Sequence, residues 1–111
     1  MTRENFNKVV ENRINLVNSV LKTKGNEYAN NNEVFHNFKL AVGISFTNSP
    51  EKVAWEMMVK HLQSIKDIIH QVSISDNYPT EALVEEKIGD AINYLILIEG
   101  MLKERIYEET T

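Results

Sequence analysis

Glu85-Glu86-Lys87-Ile88-Gly89-Asp90-Ala91-Ile92-Asn93-Tyr94 runs directly into Leu95-Ile96-Leu97-Ile98. Read with a period of 3.6, this stretch places Glu86, Asp90 and Asn93 on one helical face. Between Ala91 and Ile98 the same helix is apolar nearly all round. A helix of that kind must be covered on several sides, which predicts packing within a bundle. Two acids and an amide entering such a segment need a reason. The usual reasons are a metal, a bound polar ligand or a fully satisfied buried network.

The pattern on either side of this stretch is helical too. Phe6, Val9, Val10, Arg13, Leu16, Val17, Val20 and Leu21 recur at three- and four-residue steps. Thr2 is the expected N-cap of that helix, and Lys24-Gly25 its stop. Residues 25–32 read as an ordered loop. A short helix is expected over 33–42, with Val34, Phe35, Phe38, Ala41 and Val42 inward and Gly43 at its end. Ser49-Pro50-Glu51 combines a capping serine, a proline at the first helical position and an acid in the first turn. The helix it opens is expected to run to about Val72. Its seam is Ala54, Met58, His61, Ile65, Ile68 and Val72, and its opposite face carries Glu56, Lys60, Gln63, Asp67 and His70. Pro79-Thr80-Glu81 opens the last helix, expected to reach Glu108. The predicted class is all-α: one domain over 1–111, with three long helices and one short one. A single bundle of this size covers its last helix poorly, so a homo-oligomer is expected to complete it.

The chain has 111 residues, within the range of one domain, and a net charge of −4 from 12 basic and 16 acidic residues. That balance argues against binding long nucleic acid, which depends on neutralising phosphates. It leaves room for one small nucleotide in a local pocket. Without cysteine, disulfides and sulfur-based zinc sites are excluded. The first residues, Met1-Thr2-Arg3-Glu4-Asn5, lead into an amphipathic pattern, not an apolar targeting core. The apolar run from Tyr94 to Ile98 is far too short to span a membrane. A cytoplasmic protein is expected.

Several polar residues are candidates for chemistry, each beside a structural alternative. Glu86, Asp90 and Asn93 present three oxygens down one face, a set that suits magnesium and, through it, a phosphate ester. Alternatively, Glu86 and Asp90 are solvated or paired with Lys87 or Lys60. His61 lies in an apolar seam, as a ligand contact or a satisfied core residue. Lys60 is placed either to meet a phosphate or to pair with Glu56 at i, i+4. Around Lys24 and Tyr28, the lysine suits a phosphate and the tyrosine suits stacking on a base. The alternative is a helix stop with a packed ring. His36 and Asn37 are placed to read a base edge, or are polar positions beside Phe35 and Phe38.

The order Lys24-x-x-Glu27-Tyr28, Phe35-x-Asn37-Phe38, Met58-x-Lys60-His61-x-x-Ser64-x-x-Asp67, then Glu86-Lys87-x-x-Asp90-x-x-Asn93-Tyr94 resembles phage-type nucleotide modification associated proteins. These are similar to the MazG and dimeric dUTPase class of all-α nucleoside triphosphate pyrophosphohydrolases. The resemblance covers roughly 22–103. It implies a magnesium-dependent site, with Glu-x-x-Glu on one helix and Glu-x-x-Asp on a later one. Here Glu56 is followed three residues on by Val59, and Asp90 is preceded three residues back by Lys87, with Glu86 one position off. If the chain is an enzyme, the resemblance makes Glu56, Glu86 and Asp90 its catalytic and metal-binding residues. Fewer carboxylates weaken cation binding, whereas lysines hold phosphate directly. The departures therefore point toward holding a nucleotide without cleaving it. Phages use small helical oligomers to sequester cyclic or modified nucleotides made by host defences, and the resemblance implies that role here, in the host cytoplasm. Pyrophosphohydrolase and structural helical interaction module are the alternatives.

Overall fold

The computed structural model describes residues 1–24 and 33–110. Among the described residues the chain is all-α, with no strand. Helix α1 spans Arg3–Val17 and continues as a π-helical segment, Asn18–Lys24. Helix α2 spans His36–Val42, α3 Pro50–Ile74 and α4 Glu81–Thr110. The structure groups into two compact units, Met1–Val34 and Phe35–Thr111.

In the first unit, the backbone N–H of Asn5 donates to Thr2 Oγ1 at 3.1 Å, the cap expected of this threonine. The change of winding after Val17 is not foreseen by periodicity. It begins at Asn18-Ser19, whose side chains compete for backbone groups and weaken an α-helix locally. The apolar stripe of α1 carries no buried residue. Arg3 places its guanidinium 5.5 Å from the centroid of the Phe6 ring.

The second unit is a long antiparallel hairpin, α3 against α4, with α2 packed on α3. Its start signals act as expected. The Lys52 N–H donates to Ser49 Oγ at 3.3 Å, and Pro50 occupies the first turn, where no N–H is needed. The Leu83 N–H donates to Thr80 Oγ1 at 3.1 Å, so Thr80 caps α4. Gly43 follows α2, with its N–H on Leu40 O. On α3 the seam begins with Ala54 and Met58, both fully buried, and His61, Ile65 and Ile68 are half-buried. Burying a methionine side chain of this kind stabilises by about 1.5–3 kcal/mol. Phe35, Ala54 and Met101 form the core cluster, with Phe38, Tyr94, Leu97 and Ile98 packed against it.

Three boundaries differ from the sequence reading. Helix α2 starts at His36 instead of 33, so Val34 precedes it and is exposed, not inward. Helix α3 runs two residues past Val72, and Val72 in its last turn is exposed, not in the seam. The last helix reaches Thr110 instead of Glu108.

Ion pairs tie helices together in this unit. Arg105 on α4 meets Glu51 on α3 through two bonds: Nε with Oε1, and Nη2 with Oε2 at 3.0 Å. This fork geometry is the strong form of a carboxylate pair. Lys39 on α2 donates to Glu104 on α4 at 2.7 Å. Between them lies a cleft of about 210 Å³ that reaches Phe35 and Met101.

Candidate functional site

The seam that buries Ala54 and Met58 brings His61, one turn further along α3, against the polar end of α4. Its Nδ1 lies 3.3 Å from Asp90 Oδ2. Asp90 sits one turn before Tyr94, so both reach the same imidazole. The Tyr94 ring stacks on His61, with centroids 5.4 Å apart and planes 27° apart. Tyr94 also makes a T-shaped contact with Phe38 from α2, at 6.5 Å and 81°. One element therefore contributes each wall: α3 the histidine, α4 the carboxylate and phenol, α2 the phenylalanine.

Electrostatics follow from this packing. Burial pushes the Tyr94 phenol above its ordinary value, and the negative charge of Asp90 adds to the push. Tyr94 is thus held neutral, as an O–H donor beside a carboxylate.

Asn93 adjoins the cluster, on the turn between Asp90 and Leu97. Its Oδ1 is buried without a hydrogen-bond partner. Native proteins rarely leave such an atom unsatisfied, and doing so costs about 1–3 kcal/mol.

The other predicted residues are distributed differently. Glu86 is largely exposed, with Oε1 4.0 Å from Lys87 Nζ, the local pairing that stood as the alternative to a metal role. Glu56 is exposed. It lies two residues before buried Met58 and so about 200° around α3 from the seam. Lys60 is also exposed, and among the described residues no ion pair joins it to Glu56, Glu86 or Asp90. His36 is half-buried at the start of α2, and Asn37 is exposed. Lys24 ends the π-helical segment in the first unit. Tyr28 lies outside the described residues.

A magnesium site of the kind the resemblance implies needs several carboxylates converging. Among the described residues no three acidic or histidine side chains gather to hold an ion. Glu56 and Asp90 sit on faces turned apart, and Asp90 already faces an imidazole. The carboxylate set that the resemblance implies is therefore not gathered among the described residues. What the structure assembles is a histidine–carboxylate couple walled by aromatic rings.

Sequence reasoning set Asp90 and Asn93 on one face but did not join that face to His61 on α3. It missed the role of Tyr94 as the ring that joins them, and of Phe38 as its backing. The i, i+4 step from Asp90 to Tyr94, opposite a histidine in an apolar seam, is the signal that could have found both.

No protein-family model matches the chain. Nor does any curated protein or solved structure show a significant likeness to it. Among the described residues no helix is long and apolar enough to cross a membrane.

Proposed function

We propose that this protein binds a nucleotide at the His61–Asp90–Asn93–Tyr94 cluster and holds it without cleaving it. The observation that carries the reading is the cluster itself, an imidazole facing a carboxylate and stacked on a phenol ring, with Asn93, the residue before that tyrosine in α4, holding an amide oxygen that has no hydrogen-bond partner among the described residues. Aromatic faces suit stacking on a nucleobase. An unpartnered carbonyl oxygen suits an N–H donor such as a base presents. Lys60, next to His61 in the chain, supplies positive charge for a phosphate. The sequence resemblance to phage-type nucleotide modification associated proteins supports the same ligand class and suggests sequestration of a cyclic or modified nucleotide. Holding is favoured over hydrolysis because Glu56, Glu86 and Asp90 do not converge.

The test is to incubate the protein with a panel of mono-, cyclic di- and cyclic trinucleotides, remove free ligand, denature, and identify what is released. Intact nucleotide supports the proposal. Recovery of monophosphate and pyrophosphate would support the pyrophosphohydrolase instead. Release of nothing across the panel would leave a structural interaction module as the better reading.

A further inference from the structure

Residues 75–80 join α3 to α4, and Ser75 fixes them to the last turn of α3. Its Oγ accepts from Gln71 Nε2 at 2.9 Å and from the Asn77 N–H at 3.3 Å, and donates to Gln71 O at 3.1 Å. Pro79 disfavours helical backbone at the residue before it. That residue, Tyr78, is 66% exposed, with no ring contact or hydrogen bond among the described residues. It borders an open pocket of about 320 Å³ between the end of α3 and the start of α4.

The pocket has an apolar bed, made by Ile68, Pro79 and Leu83, and a polar rim. On that rim Asp67 Oδ1 accepts from Gln63 Nε2 at 2.8 Å, which holds the carboxylate in place and leaves Oδ2 as an acceptor. Gln71 commits an N–H to Ser75, so its amide oxygen remains as a second acceptor. The Asn77 side chain, also on the rim, adds a donor and an acceptor.

Each property of the lining narrows the ligand. An exposed aromatic ring beside an apolar bed suits a flat partner with an apolar face. Adjacent acceptors ask for several O–H or N–H donors. The lining holds one acid and no base, and the neighbouring Asp76 and Glu81 are acids too. A phosphate or carboxylate would enter without a counter-charge. A ring that is uncharged, rich in hydroxyls and apolar on its C–H face meets all three conditions.

We infer that this pocket binds an uncharged sugar ring, its C–H face on Tyr78 and its hydroxyls on Asp67, Gln71 and Asn77. The site is separate from the His61–Asp90 couple: Ile68 lies seven residues beyond His61 on α3, roughly 10 Å along the helix. Sugar binding here and nucleotide binding there are therefore separable by mutation.

Proton–nitrogen NMR titration of the full chain tests this, with methyl glycopyranosides, uncharged nucleosides and free nucleobases each taken to tens of millimolar. The side-chain amides of Asn77 and Gln71 should shift with at least one glycoside or nucleoside, with a dissociation constant roughly in the millimolar range for so open a pocket. A response to glycosides alone supports a saccharide as the source of the ring, and a response to nucleosides alone supports a ribose. The corresponding sugar phosphates should bind more weakly. Tyr78→Ala should weaken binding about tenfold, Asp67→Asn should weaken it independently, and Tyr78→Phe should retain it. Both positions are exposed, so the variants should keep the far-ultraviolet helical signal. Nucleotide retention should be unchanged in all three. Absence of any shift with glycosides and nucleosides overturns the inference. So do free nucleobases that bind as tightly as the sugars, or binding that survives both Tyr78→Ala and Asp67→Asn.

Discussion

His61 Nδ1 faces Asp90 Oδ2 at 3.3 Å, across the hairpin of α3 and α4. Both side chains are partly open to solvent, so the pair adds little to stability, less than about 1 kcal/mol. Its value lies in orienting the ring. Asp90→Asn keeps the shape and removes the charge that faces Nδ1. It should leave the thermal midpoint nearly unchanged and weaken nucleotide binding about tenfold or more, as loss of a charge-oriented group does. Parallel melting and binding titrations check this. A large drop in stability with unchanged binding would make the pair structural.

Asn93 separates function from stability in the opposite direction. Its buried Oδ1 lacks a partner, so replacing the amide with an apolar side chain of similar size removes an unsatisfied group. Asn93→Leu should raise stability by about 1 kcal/mol in urea denaturation while nucleotide binding falls. A destabilised variant would mean that the amide is already satisfied.

Gly100 is fixed by a neighbour. A β-carbon added there would lie 2.8 Å from Cζ of Phe35, a buried ring wedged against Ala54 and Met101. Gly100→Ala gains up to about 1 kcal/mol of helix propensity but forces this ring to move, at a cost of about 1–3 kcal/mol. The net effect should be destabilising by roughly 1 kcal/mol, measured by denaturant midpoint. In a Phe35→Leu background the cost should shrink, because the two positions are coupled.

The pH dependence has two limbs. Arg105 holds the Glu51 carboxyl below its ordinary 4.5. A folded value below the unfolded one stabilises at pH above 4.5, and the gain is lost as pH falls through the folded value. Glu51→Gln should flatten the acid limb and lower the melting temperature at neutral pH. Tyr94 is raised above 10.0 by burial and by Asp90. That contribution is complete below pH 10 and is lost as pH rises through the folded value. Tyr94→Phe should remove the alkaline limb. Melting curves from acid to alkaline pH read both.

The helices were legible in the sequence because their signals are local. Thr2, Ser49-Pro50 and Gly43 mark ends through hydrogen bonds and dihedral limits that involve only neighbouring residues. The seam of α3 was legible for the same reason, since its spacing alone buries Ala54 and Met58. The π-helical segment after Val17 was not, because periodicity assumes one winding throughout. The site was half legible. Spacing put Asp90 and Asn93 on one face, but His61 meets Asp90 only across the hairpin, and that register depends on where α3 and α4 turn. Tyr94 was read as part of an apolar run, since nothing local shows that its ring covers a histidine. Glu56 took its role from the resemblance, and its outward face follows from the helical phase set by Met58. Glu86 shares the face of Asp90 by spacing but is exposed.

Equilibrium dialysis against a labelled nucleotide panel, with a metal chelator present throughout, tests the central claim most directly. The account predicts retention of at least one nucleotide by the wild type, recovered intact, with retention lost in His61→Ala while the variant stays folded. Retention that needs added divalent metal, or that survives His61→Ala unchanged, would contradict it.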